Sequence, residues 1–362
     1  MRGIQNAKKH ITDLINKAAN AYSANQRRKL WQKLVARNTV SQVLTDEQKA
    51  AAVDFFRPYC KISTIAHNYY TEKTGAFCPD YIPDDLHYAY IDPYFNNWKA
   101  AKYIDNKCQY VGLFRNITHA ENIIWRSNGL WFNDSSAPLT KEQIDEILCQ
   151  YESAFVKIAT DSLGGKGVFF ISGEDLVSSF WNRIQNIHSD LVVQKPIVQH
   201  ESLRRINDSS VNTIRSISLL SESGVVVYSS ILRMGINGAK VDNASQGGIT
   251  CGIDKNGKLK KYAYSAKGPK FLQHPNSNIT FEGYAIPQFE KLMEMIPRLH
   301  CQIPLFRLVS WDFAIREDGE PVLIEANLCN GEIDFHQLNN GPLFGEDTNR
   351  ILAEVFQNNH PK

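Results

Sequence analysis

Apolar positions recur at three- and four-residue steps from residue 4 to about 70. Ile11, Leu14, Ile15, Ala18 and Tyr22 form one stripe, and Leu30, Trp31, Leu34 and Val35 continue the style. The spacing predicts helices, with a further one opening at Thr45-Asp46-Glu47-Gln48, where Thr45 or Asp46 serves as N-cap. Residues 78–98, CPDYIPDDLHYAYIDPYFNNW, are dense in aromatics and proline. They read as irregular but packed structure, because so many aromatic rings are costly to leave in water. From about 109 the texture changes to short strands. Ile123–Arg126 and Leu130–Phe132 flank Ser-Asn-Gly as a hairpin, and a helix is expected over 140–151. Apolar strands follow at 154–159, 168–171 and 191–194, with a helix at 174–186. Three hairpins come next, pairing 213–220 with 225–232, 248–253 with 258–264, and 309–316 with 321–327; a helix at 285–300 precedes the last. No internal repeat interrupts this order. It lacks strict βαβ alternation and is α+β in class.

Length and charge sharpen the picture. A chain of 362 residues is too long for one ordinary core and implies two or three packed units. With 43% hydrophobic and 22% charged residues it is globular rather than disordered. A net charge of +2 excludes a dedicated nucleic-acid binder. The charge is uneven, however: residues 1–37 carry nine Lys or Arg against one acid, Asp13, a net of +8, so the remainder sums to −6. Such a segment is either a solvated helix face or a docking arm for an anionic surface, lipid headgroups or a polyanionic glycan precursor. The seven cysteines are widely spaced, with no CxxC pair and no zinc spacing, as in a reduced cytoplasmic protein. No apolar run approaches the roughly 18 residues that span a bilayer, and the start is charged too early for a signal peptide.

Candidate chemistry concentrates in residues 311–327, WDFAIREDGEPVLIEAN. Asp318-Gly319 signals a two-residue type I′ turn, which places Asp312 opposite Glu325 with Asn327 on the same face. Two carboxylates about 5 Å apart are normally destabilising. They belong either to a solvated outer face or to a site for a hard divalent cation such as Mg²⁺. Apolar Ala314 and Leu323 on that face favour burial, and buried paired acids want a cation. Trp311, Phe313 and Ile315 line the opposite face with Val322, Ile324 and Ala326.

Upstream, Lys157 sits inside an apolar strand, followed by Ser162-Leu163-Gly164-Gly165-Lys166-Gly167-Val168. Small residues let backbone N–H groups approach phosphate oxygens while Lys157 and Lys166 supply charge. The pattern is neither a Walker A loop nor a kinase flap, and as a bland turn with a snorkelling lysine it carries no chemistry. Leu191–Gln194 runs into Lys195-Pro196-Ile197, a hinge able to offer backbone groups to an adenine ring. His200 follows, as a ligand contact or as a structural histidine. Arg215 in Asn212-Thr213-Ile214-Arg215, and Arg233 at the end of the partner strand, should lie near each other. With no adjacent acid, they suit a phosphate or carboxylate, or else form a surface pair. The loop Asp242–Gly248 has glycines that permit close approach to a ligand.

Strand lysine, glycine flap, hinge, arginine strand and D…E-x-N hairpin, in this order, resemble the ATP-grasp superfamily over residues 120–355. Tyr81–Leu86, Tyr90–Tyr94, Asn212–Arg215 and Gly341–Gly345 bring the likeness closest to its sugar-transfer-associated branch. The resemblance implies two α+β subdomains clasping ATP, with a helical N-terminal region. The boundaries expected are 1–115 for that region, 116–195 for the lid subdomain with its flap, and 196–362 for the subdomain with the metal-binding hairpin. It implies ATP contacts from Lys157, Lys166, Gln194, Lys195, Ile197 and His200, and Mg²⁺ ligands Asp312, Glu325 and Asn327. Arg215 and Arg233 would steady the transferred phosphoryl group or the acyl phosphate. Gln194 departs from the family's usual acid before the hinge lysine, and the helical start is unlike the N-terminal domain of many relatives. The implied activity is an ATP-dependent carboxylate–amine ligase on small molecules, in a surface-polysaccharide context, cytoplasmic and in possible peripheral membrane contact through residues 1–37. A small-molecule kinase and a non-catalytic nucleotide binder are the alternatives.

Overall fold

A computed structural model describes residues 22, 25, 26, 28, 29, 32, 41, 43–160, 167–173, 175–239, 242, 247–266 and 270–357. The basic stretch expected over 1–37 lies almost wholly outside these residues, as do Lys166 and most of the Asp242–Gly248 loop. Within them the chain forms two compact units, one from residues up to Asn97 together with Cys329–Lys362, the other from Trp98–Leu328. Among the described residues no helix is long and apolar enough to cross a membrane.

The first unit is helical. Asp46–Phe56 opens with a capping box, Thr45 accepting from the Gln48 N–H while Gln48 returns the bond to the Thr45 N–H. Residues 84–95, expected to be irregular, wind into short helical turns that include a π-helical stretch, His87–Ile91. Their aromatics are packed as expected: Tyr81, Ile91 and Phe95 are buried. A single amide ties the motif segments together. Gln337 Oε1 accepts from the Ile82 N–H at 2.8 Å and the Leu343 N–H at 3.4 Å, while Nε2 donates to Ile82 O and Tyr70 Oη. Asp92 accepts from the Asn330 N–H at 2.9 Å, a second tie between the aromatic segment and the chain after residue 329.

The second unit carries two sheets. β2 (Asn122–Ser127), β3 (Leu130–Asn133), β4 (Ser153–Ile158), β5 (Val168–Ser172) and β6 (Leu191–Gln194) form a five-stranded sheet in the order β3-β2-β6-β4-β5. Helices Lys141–Leu148 and Leu176–Ile184 cover one face, burying Ile124, Ala154, Val156, Ile171, Phe180 and Val193. Lys157 alternates onto the other face. Gly167 closes the β4–β5 hairpin at φ +82°, where a Cβ would fall 2.5 Å from Ile158 Cδ1.

β1 (Thr118–His119), β7 (Thr213–Ser221), β8 (Gly224–Met234), β9 (Ile249–Ile253), β10 (Leu259–Ser265), β11 (Leu308–Ile315) and β12 (Pro321–Asn327) form a seven-stranded sheet ordered β1-β12-β11-β7-β8-β9-β10. Three separate hairpins thus become one surface. The helix expected from 285 begins at Phe289, after Gln288 in a left-handed conformation.

The β11–β12 hairpin departs from its expected turn. Asn128-Gly129 makes the two-residue loop with both φ positive, whereas Asp318 does not adopt positive φ and Gly319 alone does. Arg316 and Glu320 close a three-residue loop instead, through Gly319 N–H to Arg316 O and Arg316 N–H to Glu320 O, each at 2.9 Å. The strands therefore start one residue out of the expected register, pairing Phe313 with Leu323 and Ala314 with Val322. A bulge at Ile324 restores it, so Asp312 faces Glu325 after all. The expected facing of Leu323 with Ala314 is overturned by the same shift.

Asn212 fixes the start of β7. Fully buried, its Nδ2 donates to Gln199 Oε1 (2.9 Å), Leu203 O (2.8 Å) and Asn207 O (2.9 Å). Asn212→Ala removes three buried hydrogen bonds and should cost about 2–3 kcal/mol in denaturant unfolding, against under about 1 kcal/mol for the exposed Asn182→Ala.

Candidate functional site

Strand register builds the site. Arg215, Asp312 and Glu325 stand in one row across β7, β11 and β12. Arg233 pairs with Thr213, two residues from Arg215 and on its face, and Ser310 pairs with Asn327, next to the carboxylates. Arg215, Arg233, Asp312, Glu325 and Asn327 are the residues expected from their type, Ser310 is not, and the sheet brings them to one surface.

Asp312 is buried and fully engaged. Arg215 grips it bidentately, Nε to Oδ1 and Nη2 to Oδ2 at 2.6 Å each, and Arg233 Nη1 adds a third bond to Oδ2 at 3.0 Å. The two arginines are themselves only 9% and 8% exposed. The expectation that they lack a neighbouring acid is therefore overturned: antiparallel pairing of β7 with β11, which local sequence does not reveal, supplies one. Asp242 lies beside them, accepting a hydrogen bond from Thr213 Oγ1 and sitting 3.7 Å from Arg233.

Glu325 has its own cation, and sequence reasoning missed it. Lys107 is 7% exposed and donates to Glu325 Oε1 at 2.7 Å. It lies in a short 3₁₀ turn capped by Asn106, whose side chain accepts from the Cys108 N–H. The Lys107 N–H donates to Ala159 O, while Tyr110 Oη bonds Asp105 and Ala326 O, docking this turn against both sheets. Burial is the largest influence on the Lys107 ammonium and works to lower its pKa. Glu325, Asp105 and Asp312 together outweigh it, so the pKa is raised and the charge is kept. A lysine between Asn106 and Cys108 carries no local pattern that marks it.

Lys157 is the opposite case. Burial and then the neighbouring Lys107 push its pKa down to about 8, against partial compensation by Glu325 and Asp242. Lys157 is thus within electrostatic reach of the Glu325 end of the row.

The remaining candidates sit elsewhere. Gln194 is buried and donates to Asn122 Oδ1 at 2.9 Å. The Lys195 N–H donates to Glu121 O at 2.9 Å, and its exposed ammonium lies 3.5 Å from Glu121. At that exposure the pair is worth little. Ile197 is partly exposed. His200 caps the Glu201–Ile206 helix, its Nδ1 accepting from the Ser202 N–H.

Does the acidic row suit a divalent cation? Asp312, Glu325 and Asn327 offer oxygen only, the donor type hard cations prefer. Among the described residues Glu325 Oε2 and Asn327 Oδ1 accept no hydrogen bond. Beside them Ser310 Oγ is buried without a partner. The set fits such an ion, provided Asp312 exchanges its arginines.

The row of Arg215, Asp312 and Glu325 lies on the seven-stranded sheet, and Lys157 on the five-stranded one. The chain belongs to the sugar-transfer associated ATP-grasp family, whose model matches residues 87–351. Among solved structures, D-alanyl-alanine synthetase A from Vibrio cholerae is 14% identical over 72% of this chain and 65% of its own, with a TM-score of 0.41. The ligase PsnB in complex with a minimal precursor is 12% identical over 72% of this chain and 64% of its own, at TM-score 0.43. An ADP complex of N5-carboxyaminoimidazole ribonucleotide synthetase is 15% identical over 63% of this chain and 45% of its own, at TM-score 0.37. The chain thus spans about half to two thirds of the length of these neighbours. No curated protein matches the sequence.

The lowered Lys157 pKa has a signed consequence for stability. Below about 8 the ammonium is charged in both folded and unfolded chains, and its desolvation weighs on the folded one. As pH rises from about 8 towards the unfolded value near 10.5, that penalty is relieved. Lys157→Met should raise the melting temperature at pH 7, and its advantage should shrink towards pH 10.5 in thermal unfolding scans.

Proposed function

We propose that this protein is an ATP-dependent ligase that activates a carboxylate as an acyl phosphate and joins it to an amine. The observation that carries the reading is the row of Arg215, Asp312 and Glu325, flanked by Arg233, Lys107 and Lys157. Two arginines and two carboxylates share one sheet face, with Lys107 bonded to Glu325 and Lys157 within its field, a charge arrangement suited to phosphoryl transfer to an oxygen nucleophile.

In this reading Lys107 and Lys157 hold nucleotide phosphates, with Lys166 from the flap. Arg215 and Arg233 face the transferred phosphoryl group, and planar guanidinium forks suit its equatorial oxygens. Asp312, Glu325 and Asn327 would hold Mg²⁺, which when bound neutralises charge between the phosphates. The substrate carboxylate attacks the γ-phosphorus and ADP departs. An amine then attacks the acyl carbon, the C–N bond forms, and phosphate leaves with the former carboxylate oxygen. No protein nucleophile is needed, so Cys329 has no chemical role. The hinge from Gln194 to Ile197 contributes backbone atoms other than the Lys195 N–H, which the chain itself uses. His200 supports the hinge by capping the helix that follows it.

The family name supports a substrate bearing a sugar, in surface-polysaccharide or sugar-conjugate synthesis, with an amino acid or other amine as partner. A cytoplasmic location and peripheral contact through the basic residues 1–37 go with that context. The boundaries at 115 and 195 remain part of the proposal. They divide the helical region from the two subdomains that clasp ATP.

Purified protein with ATP and Mg²⁺, screened against panels of uronic acids and amino acids, should release ADP only when both a carboxylate and an amine are present. Hydroxylamine in place of the amine should yield a hydroxamate. ADP release with a hydroxyl acceptor and no hydroxamate would point to a kinase instead. Glu325→Gln should lower ADP release by about 10²–10³-fold, and unchanged release would remove Glu325 from the chemistry.

A further inference from the structure

In the functional reading above, Arg215, Arg233 and Lys107 meet phosphate oxygens, while Asp312 and Glu325 meet a metal ion. In the structure these two sets meet each other. Both Asp312 oxygens are bonded to the arginines, and Glu325 Oε1 is bonded to Lys107. The carboxylates stand in for phosphate, and the guanidinium and ammonium groups stand in for the metal. Asp312, Arg215, Arg233 and Lys107 are each less than 10% exposed, so water is a poor substitute partner.

We infer that the nucleotide site is closed by its own ion pairs and opens only to nucleotide and divalent cation together. Metal-free ATP that draws on the guanidinium N–H groups now bonded to Asp312 leaves that buried carboxylate short of the bonds that neutralise it. A divalent cation alone faces the mirror problem, since taking Asp312 breaks the bidentate grip of Arg215 and leaves Arg233 with only the longer contact to Asp242 at 3.7 Å. Joint arrival exchanges partners and leaves no charge unpaired. Glu325 and Lys107 form a second pair governed by the same exchange. The pairs thus act as a filter against free nucleotide and free anions, and keep the buried cations neutralised at rest. This rests on the nucleotide reading.

The test is equilibrium titration of the full chain with ATP, once with Mg²⁺ and once with EDTA, and with Mg²⁺ alone. Wild type should bind ATP with Mg²⁺ at least about 100-fold more tightly than ATP with EDTA. Asp312→Asn frees the arginines and should bind metal-free ATP about tenfold more tightly than wild type, the scale of one charge-assisted bond. Glu325→Gln, which leaves the arginine grip intact, should shift in the same direction through Lys107 and covers the case where Asp312→Asn does not fold. Glu282→Gln removes an exposed carboxylate outside these pairs and measures the general effect of lost negative charge. The inference is overturned if neither variant exceeds Glu282→Gln in metal-free ATP affinity, or if wild type binds ATP equally with and without Mg²⁺. Absence of ATP binding by wild type under both conditions overturns the nucleotide reading itself, and the inference with it.

Discussion

The grip of Arg215 on Asp312 is the interaction around which the second unit is organised. A buried bidentate pair tolerates little displacement, because two short charge-assisted bonds break if the strands slide. It therefore constrains β7 and β11 to a single register. Arg233 on β8 extends the constraint by one strand through its own bond to Asp312. On the reverse face Trp311 donates from Nε1 to Ser218 Oγ at 2.8 Å, and Ser218 bonds His300 Nδ1, so the same two strands are pinned from both sides. Burial pushes the His300 pKa down to about 4, which suits a neutral ring in that polar relay.

Around this centre the structure places its cations by two different means. Arg215 and Arg233 are delivered by regular pairing, on the stretch Thr213–Ile217 with Ser229–Arg233, before the register shift at Ser218. Lys107 is delivered by a short turn held through backbone and phenol hydrogen bonds. The second route is as well defined physically as the first, but it depends on Ala159 and Ala326, residues about 50 and 220 positions away. Lys157 meets both routes, lying on the outer face of the smaller sheet within the field of Lys107 and Glu325.

The motif segments of the first unit do different work. Ile82 and Leu343 contribute backbone groups to Gln337, and Asp92 takes a backbone N–H from Asn330. Their resemblance to family motifs thus coincides with internal anchoring of that unit. Asn212, in the motif that leads to Arg215, is likewise an anchor, whereas Arg215 carries the charge. A recognisable motif can mix both duties within four residues.

What the sequence determined by itself was local. Alternation and apolar runs located every strand but the short β1 within a residue or two, and a capping residue placed the helix starting at Asp46. Asn128-Gly129 declared its own turn. Residue type and order also named the arginines, the strand lysine and the carboxylates, and carried the family likeness. Tertiary structure decided which of these groups meet. The opposition of Asp312 and Glu325 is the clearest instance. The sequence argument reached it through a turn that does not form, and the structure reaches it through a three-residue loop compensated by a bulge at Ile324. Neither the bulge nor the salt bridge from Lys107 to Glu325 has a local signature. Both answer to burial: a row of charges inside a sheet must be neutralised, and only the assembled sheet shows which cation is near enough to do it.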